Sequence, residues 1–242
     1  MLIKKVLLTK KVQRKILQIV LTTVTAVIIS ACGGTIPLTR QEAFSTTLTN
    51  IQQENMRAQT DFKDGEYPSA IKHWYRVINL ADHFNRDYPS QQGLTLSFLN
   101  DKTAAYCSIG EAHSEMADAN DGNLNMYKDA LQSYLLCLQY QPENIMAYND
   151  AIKVANKLND IARSTKLQEW RDATVRIQDE YRNRARKIDA SYPQRRPGNQ
   201  SRNRAFLQLY EWAFNAASDA GVAVLADRYR MSVENYKRLT AK

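Results

Sequence analysis

The chain has 242 residues, 44% of them hydrophobic and 24% charged, with a formal net charge of +8 at pH 7. Three cysteines exclude a small scaffold held by disulfides, and the length suffices for one good core or an extended array. The positive excess does not point to nucleic acid. Six Lys or Arg and no acid fall within residues 1–31, which leaves 27 basic and 25 acidic residues after them.

Those first 31 residues read as a targeting segment. Lys4, Lys5, Lys10, Lys11, Arg14 and Lys15 precede an apolar run from Ile16 to Ala31, a charged start followed by a short hydrophobic region. The run is about 16 residues, short of the ~20 that span hydrocarbon, which disfavours an uncleaved membrane anchor. Its end, Ile29-Ser30-Ala31-Cys32, resembles the bacterial lipobox. The resemblance implies cleavage before Cys32 and acylation of that residue, rather than free secretion. Several acyl chains would anchor the protein stably to a membrane leaflet. Gly33 stands where Asp would retain such a protein in the inner membrane, so the expected location is the bacterial outer membrane, on its periplasmic face. Residues 32–44 are expected as the acylated Cys and tether.

Past Cys32 the charge is uneven. Residues 32–160 hold 10 basic and 16 acidic residues, whereas residues 161–242 hold 17 and 9. The C-terminal half is therefore the one expected to meet an acidic surface.

Helical periodicity dominates from residue 45 onward. Ala70, Trp74 and Val77 follow Gly65-Glu66-Tyr67 and fall on one helix face, with a small residue for close approach and an aromatic beside it. Tyr106, Ile109, Gly110 and His113, then Ala130, Tyr134, Cys137, Leu138 and Pro142, form a fuller copy. A third copy begins at Glu143 with Ala147, Tyr148, Ala151, Ile152 and Ala155, but Asn159-Asp160-Ile161 replaces the Gly turn and its second helix lacks the signature. These segments resemble the tetratricopeptide repeat. The resemblance covers roughly residues 45–175 and implies an all-α fold, a TPR-like α-solenoid of about three helix pairs with a C-terminal helical cap. The connection from Ala117 to Asn125 reads as a loop about eight residues longer than the family norm. The solenoid is expected over 45–190, a basic Pro/Arg loop over 191–202, and a helical hairpin over 203–242.

Cys107 and Cys137 could pair in an oxidising compartment if the fold brings them together. The favoured reading is two small apolar residues in helix cores. Nothing points to catalysis. His73, His83 and His113 have no Cys or carboxylate at metal-ligand spacing, and no nucleophile or phosphate-cradling motif occurs. Residues 118–125 lack the ligands of a calcium loop, with Lys128 where Glu is required. Residues 225–233 faintly resemble part of a helix-turn-helix, and a capping helix is the better reading. No cofactor and no metal is implied.

The functional surface is expected to be a groove. In the repeat family the first helix of each pair lines the concave face. The inward places are Gln52, Asn55, Gln59 and Lys63, then Glu111, Ser114 and Glu115, then Asn149, Lys153, Asn156 and Lys157. Amides satisfy both donors and acceptors of a bound backbone, and Lys153 with Lys157 forms a cationic strip. A second candidate surface is the basic stretch 182–204, with Arg182, Arg184, Arg186, Lys187, Arg195 and Arg196, where eight basic residues stand against Asp189 alone. The layout is similar to repeat-containing lipoproteins that assemble pilus or secretion apparatus. The implied partner is another envelope protein or peptide segment, with the membrane reached through the lipid and no nucleic acid. The alternative is a cell-wall or lipopolysaccharide-binding module using the Arg-rich stretch.

Overall fold

A computed structural model describes residues 39–89, 97–192 and 199–241. The expected signal segment, Cys32 with Gly33, and Arg195 and Arg196 lie outside these residues. The chain divides into Met1–Thr39 and Arg40–Lys242, and the described helices all belong to the second unit.

Among the described residues there are eight helices and no strand: α1 (Arg40–Lys63), α2 (Tyr67–Asp87), α3 (Leu99–Ala119), α4 (Leu124–Tyr140), α5 (Ile145–Lys157), α6 (Ile161–Ser191), α7 (Gln200–Asp219) and α8 (Ala223–Thr240). Helix α1 starts at Arg40, inside the stretch expected as tether. Each helix packs on the next, and α1 also touches α3, as α3 touches α5. None of the described helices is long and apolar enough to cross a membrane.

The apolar spacing explains the packing. Helix α2 buries Ala70, Ile71, Trp74, Val77, Ile78, Ala81 and Phe84, a stripe wide enough to meet both α1 and α3. Helix α1 buries only Ala43, Ile51 and Ala58, as suits an end helix with one packed side. The core is serial. One cluster joins α1 to α3, a second joins α3 to α6 and a third joins α6 to α8. Tyr106 packs against the first two clusters and Trp170 against the last two. Helix α6 belongs to two cores, burying Ser164 and Leu167 on the α5 side and Ala173 and Ile177 against α7 and α8.

The turns within successive helix pairs share one geometry. A residue in the left-handed region, one connecting residue, then the next helix: Gly65 (φ 80°) before Tyr67, Gly122 (φ 77°) before Leu124, Asn159 (φ 56°) before Ile161, Gly221 (φ 68°) before Ala223. In all four an N–H reaches back five residues and closes the preceding helix: Glu66 to Asp61, Asp160 to Ala155, Val222 to Ala217 and, in the turn where Asp121 (φ 53°) is left-handed as well, Gly122 to Ala117. Asn159 performs the role of glycine, because Asn tolerates this conformation better than other side-chained residues. Asp160 then caps α6 by accepting from Arg163 N at 3.1 Å.

The connection at 117–125 is shorter than its sequence implied. Helix α3 continues through Ala119 and α4 begins at Leu124. Asn123 caps α4 by accepting from Asn125 N at 3.0 Å, so the extra residues lengthen helices instead of a loop.

Cys107 and Cys137 are bonded, with Cα atoms 5.3 Å apart, which corrects the reading of two unpaired apolar cysteines. The reason is the register of the α3–α4 hairpin. Tyr106 stacks on Tyr140 at 5.7 Å, Cys107 meets Cys137, and Gly110 meets Tyr134 one turn further on. A Cβ on Gly110 would lie 3.0 Å from the Tyr134 ring, so the glycine is what lets that ring settle on the helix backbone. Asn144, which caps α5, places its Nδ2 3.6 and 3.8 Å from the two sulfurs.

The entry to α3 is aromatic. Phe98 has φ 58°, costly for a bulky side chain, and is held by stacking on Phe44 at 4.7 Å and an edge contact with Phe84 at 5.3 Å. Asn85 fixes the preceding residue, donating to Ser97 O at 2.9 Å and accepting from Ser97 N at 2.8 Å.

Candidate functional site

The helices α1, α3 and α5 make one row in mutual contact. Helices α2 and α4 do not touch one another to the same extent, so the α1–α3–α5 row, which the repeat resemblance expects to be the inner one, is the more closely packed. The side chains expected along it are all accessible. Gln52, Gln59, Lys63, Glu111, Glu115, Lys153, Asn156 and Lys157 are exposed, and Asn55, Ser114 and Asn149 are half-buried.

Their engagements differ. Lys153 Nζ donates to Asp150 Oδ1 at 3.0 Å. Lys157 Nζ donates to both oxygens of Asp118 at 2.5 and 2.6 Å, and lies 5.0 Å from the Tyr127 ring centre. The Tyr127 hydroxyl donates to the same Asp118 carboxylate. The two ammonium groups expected as one strip are thus drawn to carboxylates on different helices. Asn149 Oδ1 accepts from Arg171 Nη1 at 3.0 Å, which ties α5 to α6. The middle of the row is acidic. Burial raises the Glu111 carboxyl above its ordinary range, and Asp150 and Glu115 push it the same way. Of these three carboxylates, Asp150 pairs with Lys153.

A second polar cluster joins α1 to α2. His73 Nδ1 lies 2.6 Å from Glu54 Oε2 and its Nε2 lies 3.6 Å from Asp61 Oδ2, while Arg76 and Arg57 reach Glu54 at 3.4 and 2.9 Å. Burial alone would raise the Glu54 carboxyl, but hydrogen bonds from His73 and Arg76 outweigh it and hold the group low. A cleft of about 350 Å³ opens beside it, with Asn50, Asn79 and His83 on its walls. His73 gave no sign of this in sequence, because its carboxylates stand on the preceding helix.

At the basic end, Arg182 donates to Asp179 Oδ1 and Gln178 Oε1, each at 3.1 Å. Arg184 donates to Glu180 Oε1 at 2.7 Å and sits 4.1 Å over the Trp212 ring. Arg202, outside the expected set, donates to Asp189 Oδ1 at 2.9 Å. Arg186 and Lys187 are exposed. The acids that engage Arg182 and Arg184 lie one turn upstream of the stretch that looked uniformly basic, at helical spacings of three and four.

No family model, curated protein or solved structure matches this chain. Its function therefore rests on its own residues. Among the described residues no group of His, Cys, Asp and Glu is arranged to hold a metal ion. His113 is half-buried, its imidazole held below the usual range by burial, and its Nδ1 has no hydrogen-bond partner.

Proposed function

We propose that this chain is a lipid-anchored interaction scaffold or assembly factor of the bacterial envelope, built as a TPR-like α-solenoid whose α1–α3–α5 row receives a segment of another protein. Four things support the solenoid reading: helix pairs joined by a recurring left-handed turn, closer contacts between alternate helices on one side than on the other, a core divided serially, and the Gly110–Tyr134 approach. The observation that carries the functional reading is the inner row itself. It displays amides and carboxylates that are accessible, while most apolar residues of the same helices are packed, with Met56 on α1 and Met146 on α5 left exposed. Its acidic middle favours a partner segment bearing Lys or Arg. Anchoring at Cys32, delivery to the outer membrane and a role in a pilus or secretion apparatus are parts of the same proposal. They rest on the lipobox and the likeness in layout.

The test is site-specific photocrosslinking in the native envelope from Gln59, Glu115 and Asn156, with Lys128 on α4 as the outward control. The expected result is one protein captured from the three inner positions, absent from Lys128 and lost in Cys32→Ala. Equal capture from Lys128, or none from the inner row, overturns the proposal. In the cell-wall or lipopolysaccharide reading, Arg182 and Arg184 are exposed and paired only with exposed acids one turn away on the same helix. Binding that falls steeply as ionic strength rises would favour it.

A further inference from the structure

Where α6, α7 and α8 meet the start of α5, a cleft of about 350 Å³ has walls of a different kind from the inner row. Tyr181, Tyr210 and Tyr229 face it, with Arg182, Arg228 and Glu143. The three rings lie 5.6 to 6.4 Å apart, centre to centre, and are tilted at 31 to 46° to one another. One wall is fixed in advance by a chain of hydrogen bonds. Gln178 Nε2 donates to Glu143 O at 3.2 Å, Gln178 Oε1 accepts from Arg182, and Arg182 also donates to Asp179. Gln178 itself is buried. Across from it, Arg228 Nε stands 3.8 Å from Glu143 Oε1, too long for a hydrogen bond, so donors on one side and acceptors on the other stay available.

We propose that this cleft binds a neutral saccharide, one pyranose residue at a time. The volume lies at the small end of ligand sites, which run from about 300 to 1,000 Å³. The lining combines the half-buried Tyr181 and Tyr210, whose rings attract weakly positive C–H groups and rest on the buried Tyr229, with groups of both hydrogen-bonding senses. A sugar ring presents those two surfaces: a face of C–H bonds, and hydroxyls that each donate and accept. Other ligand classes fit less well. The two guanidinium groups are balanced by Glu143 and Asp179, so there is no net field for an anion. The mutual tilt of the rings leaves no parallel slot for a flat base. An apolar side chain would strip water from Arg228 and Glu143, whose 3.8 Å pair makes no hydrogen bond to replace it. Burial raises the phenols of Tyr181 and Tyr229, the latter to about 12, and the Tyr181 and Tyr210 hydroxyls are hydrogen-bonded to one another. The site shares only Arg182 with the basic stretch and does not depend on the scaffold reading.

The experiment is saturation-transfer NMR on the purified full chain with two probes, an N-acetylglucosamine trimer and maltotriose. Saturable binding of at least one is expected below about 10 mM, the range of a single-ring contact. Binding confined to the first probe assigns an amino-sugar glycan, and binding confined to the second assigns a neutral hexose. Arg228→Ala should weaken it about tenfold, the effect of losing one hydrogen bond to a charged group. Ser232→Trp, which fills the cleft mouth, should abolish it, and Glu115→Gln on the inner row should leave it unchanged, with helix content preserved in all three. The proposal is overturned if neither probe saturates. It also falls if both cleft variants bind as the wild type does, or if only acidic saccharides bind and salt removes them.

Discussion

Reducing the Cys107–Cys137 bond tests the hairpin register directly. The bond closes a loop with a sequence separation of 30. Loop-closure entropy for that length gives about 3.6 kcal/mol of stabilisation, taken from the unfolded chain. Spread over a cooperative unit of about 200 residues, that corresponds to a fall in Tm of about 9 °C. Urea and thermal unfolding of the same purified chain, with and without dithiothreitol, isolate the crosslink, because every side chain is kept. The Cys107→Ala/Cys137→Ala double variant should fall at least as far, since the wholly buried Cys137 also leaves a void. The consequence should concentrate in the second core cluster, because the bond joins α3 to α4 and its sulfurs lie against Asn144 at the head of α5. Midpoints that coincide within about 0.5 kcal/mol would refute the reasoning: free thiols in solution would mean that α3 and α4 do not meet in this register.

Other substitutions read other parts of the structure. Gly110→Val should cost about 2–3 kcal/mol in urea unfolding, because its side chain would overlap the Tyr134 ring. Asn159→Gly should be neutral or stabilising by a few tenths of a kcal/mol, and Asn159→Val should destabilise by about 1–2 kcal/mol, if the left-handed turn is as described. Glu54→Gln should cost about 2 kcal/mol near pH 7. The Glu54 carboxyl is held low in the folded chain, so its contribution is present above its unfolded value and lost as pH falls through the folded one; the gap from wild type should therefore close on acidification below pH 4.5. Glu111→Gln should act in the opposite sense. Its carboxyl is raised, so the ionised form weakens the folded state; the variant should be the more stable at pH 7, and the gain should vanish in acid.

The helices were legible because their apolar spacing is local. Ala70, Trp74 and Val77 lie within one helix, and all three are buried as that spacing implies. The C-terminal hairpin was legible for the same reason: Phe206, Leu209 and Ala213 on α7, and Leu225, Tyr229 and Val233 on α8, all turn inward. What sequence could not reveal depends on register between helices. The disulfide needs the exact sliding of α4 on α3, which spacing along the chain does not supply. His73 needs α1 folded against α2 before Glu54 and Asp61 come within reach. The tyrosine cleft draws on three helices at once. The turn at Asn159-Asp160-Ile161 was legible at its expected place, since Asn is among the side-chained residues that best tolerate the left-handed conformation. Arg182 and Arg184 looked uncommitted only because the charge window began after Asp179 and Glu180.

Helix α6 gives the molecule a mechanical property. At 31 residues it is a rod of about 46 Å, gripped near its start by α5 and further along by the α7–α8 pair. A lever held at two points converts a small rotation at one grip into a larger sweep at the other. Trp170, packed against both cores, sits where a fulcrum would be. Gln178, further along the same rod, donates to Glu143 O at the head of α5 at 3.2 Å, so the two grips are also joined directly and the second and third cores share one stiff element.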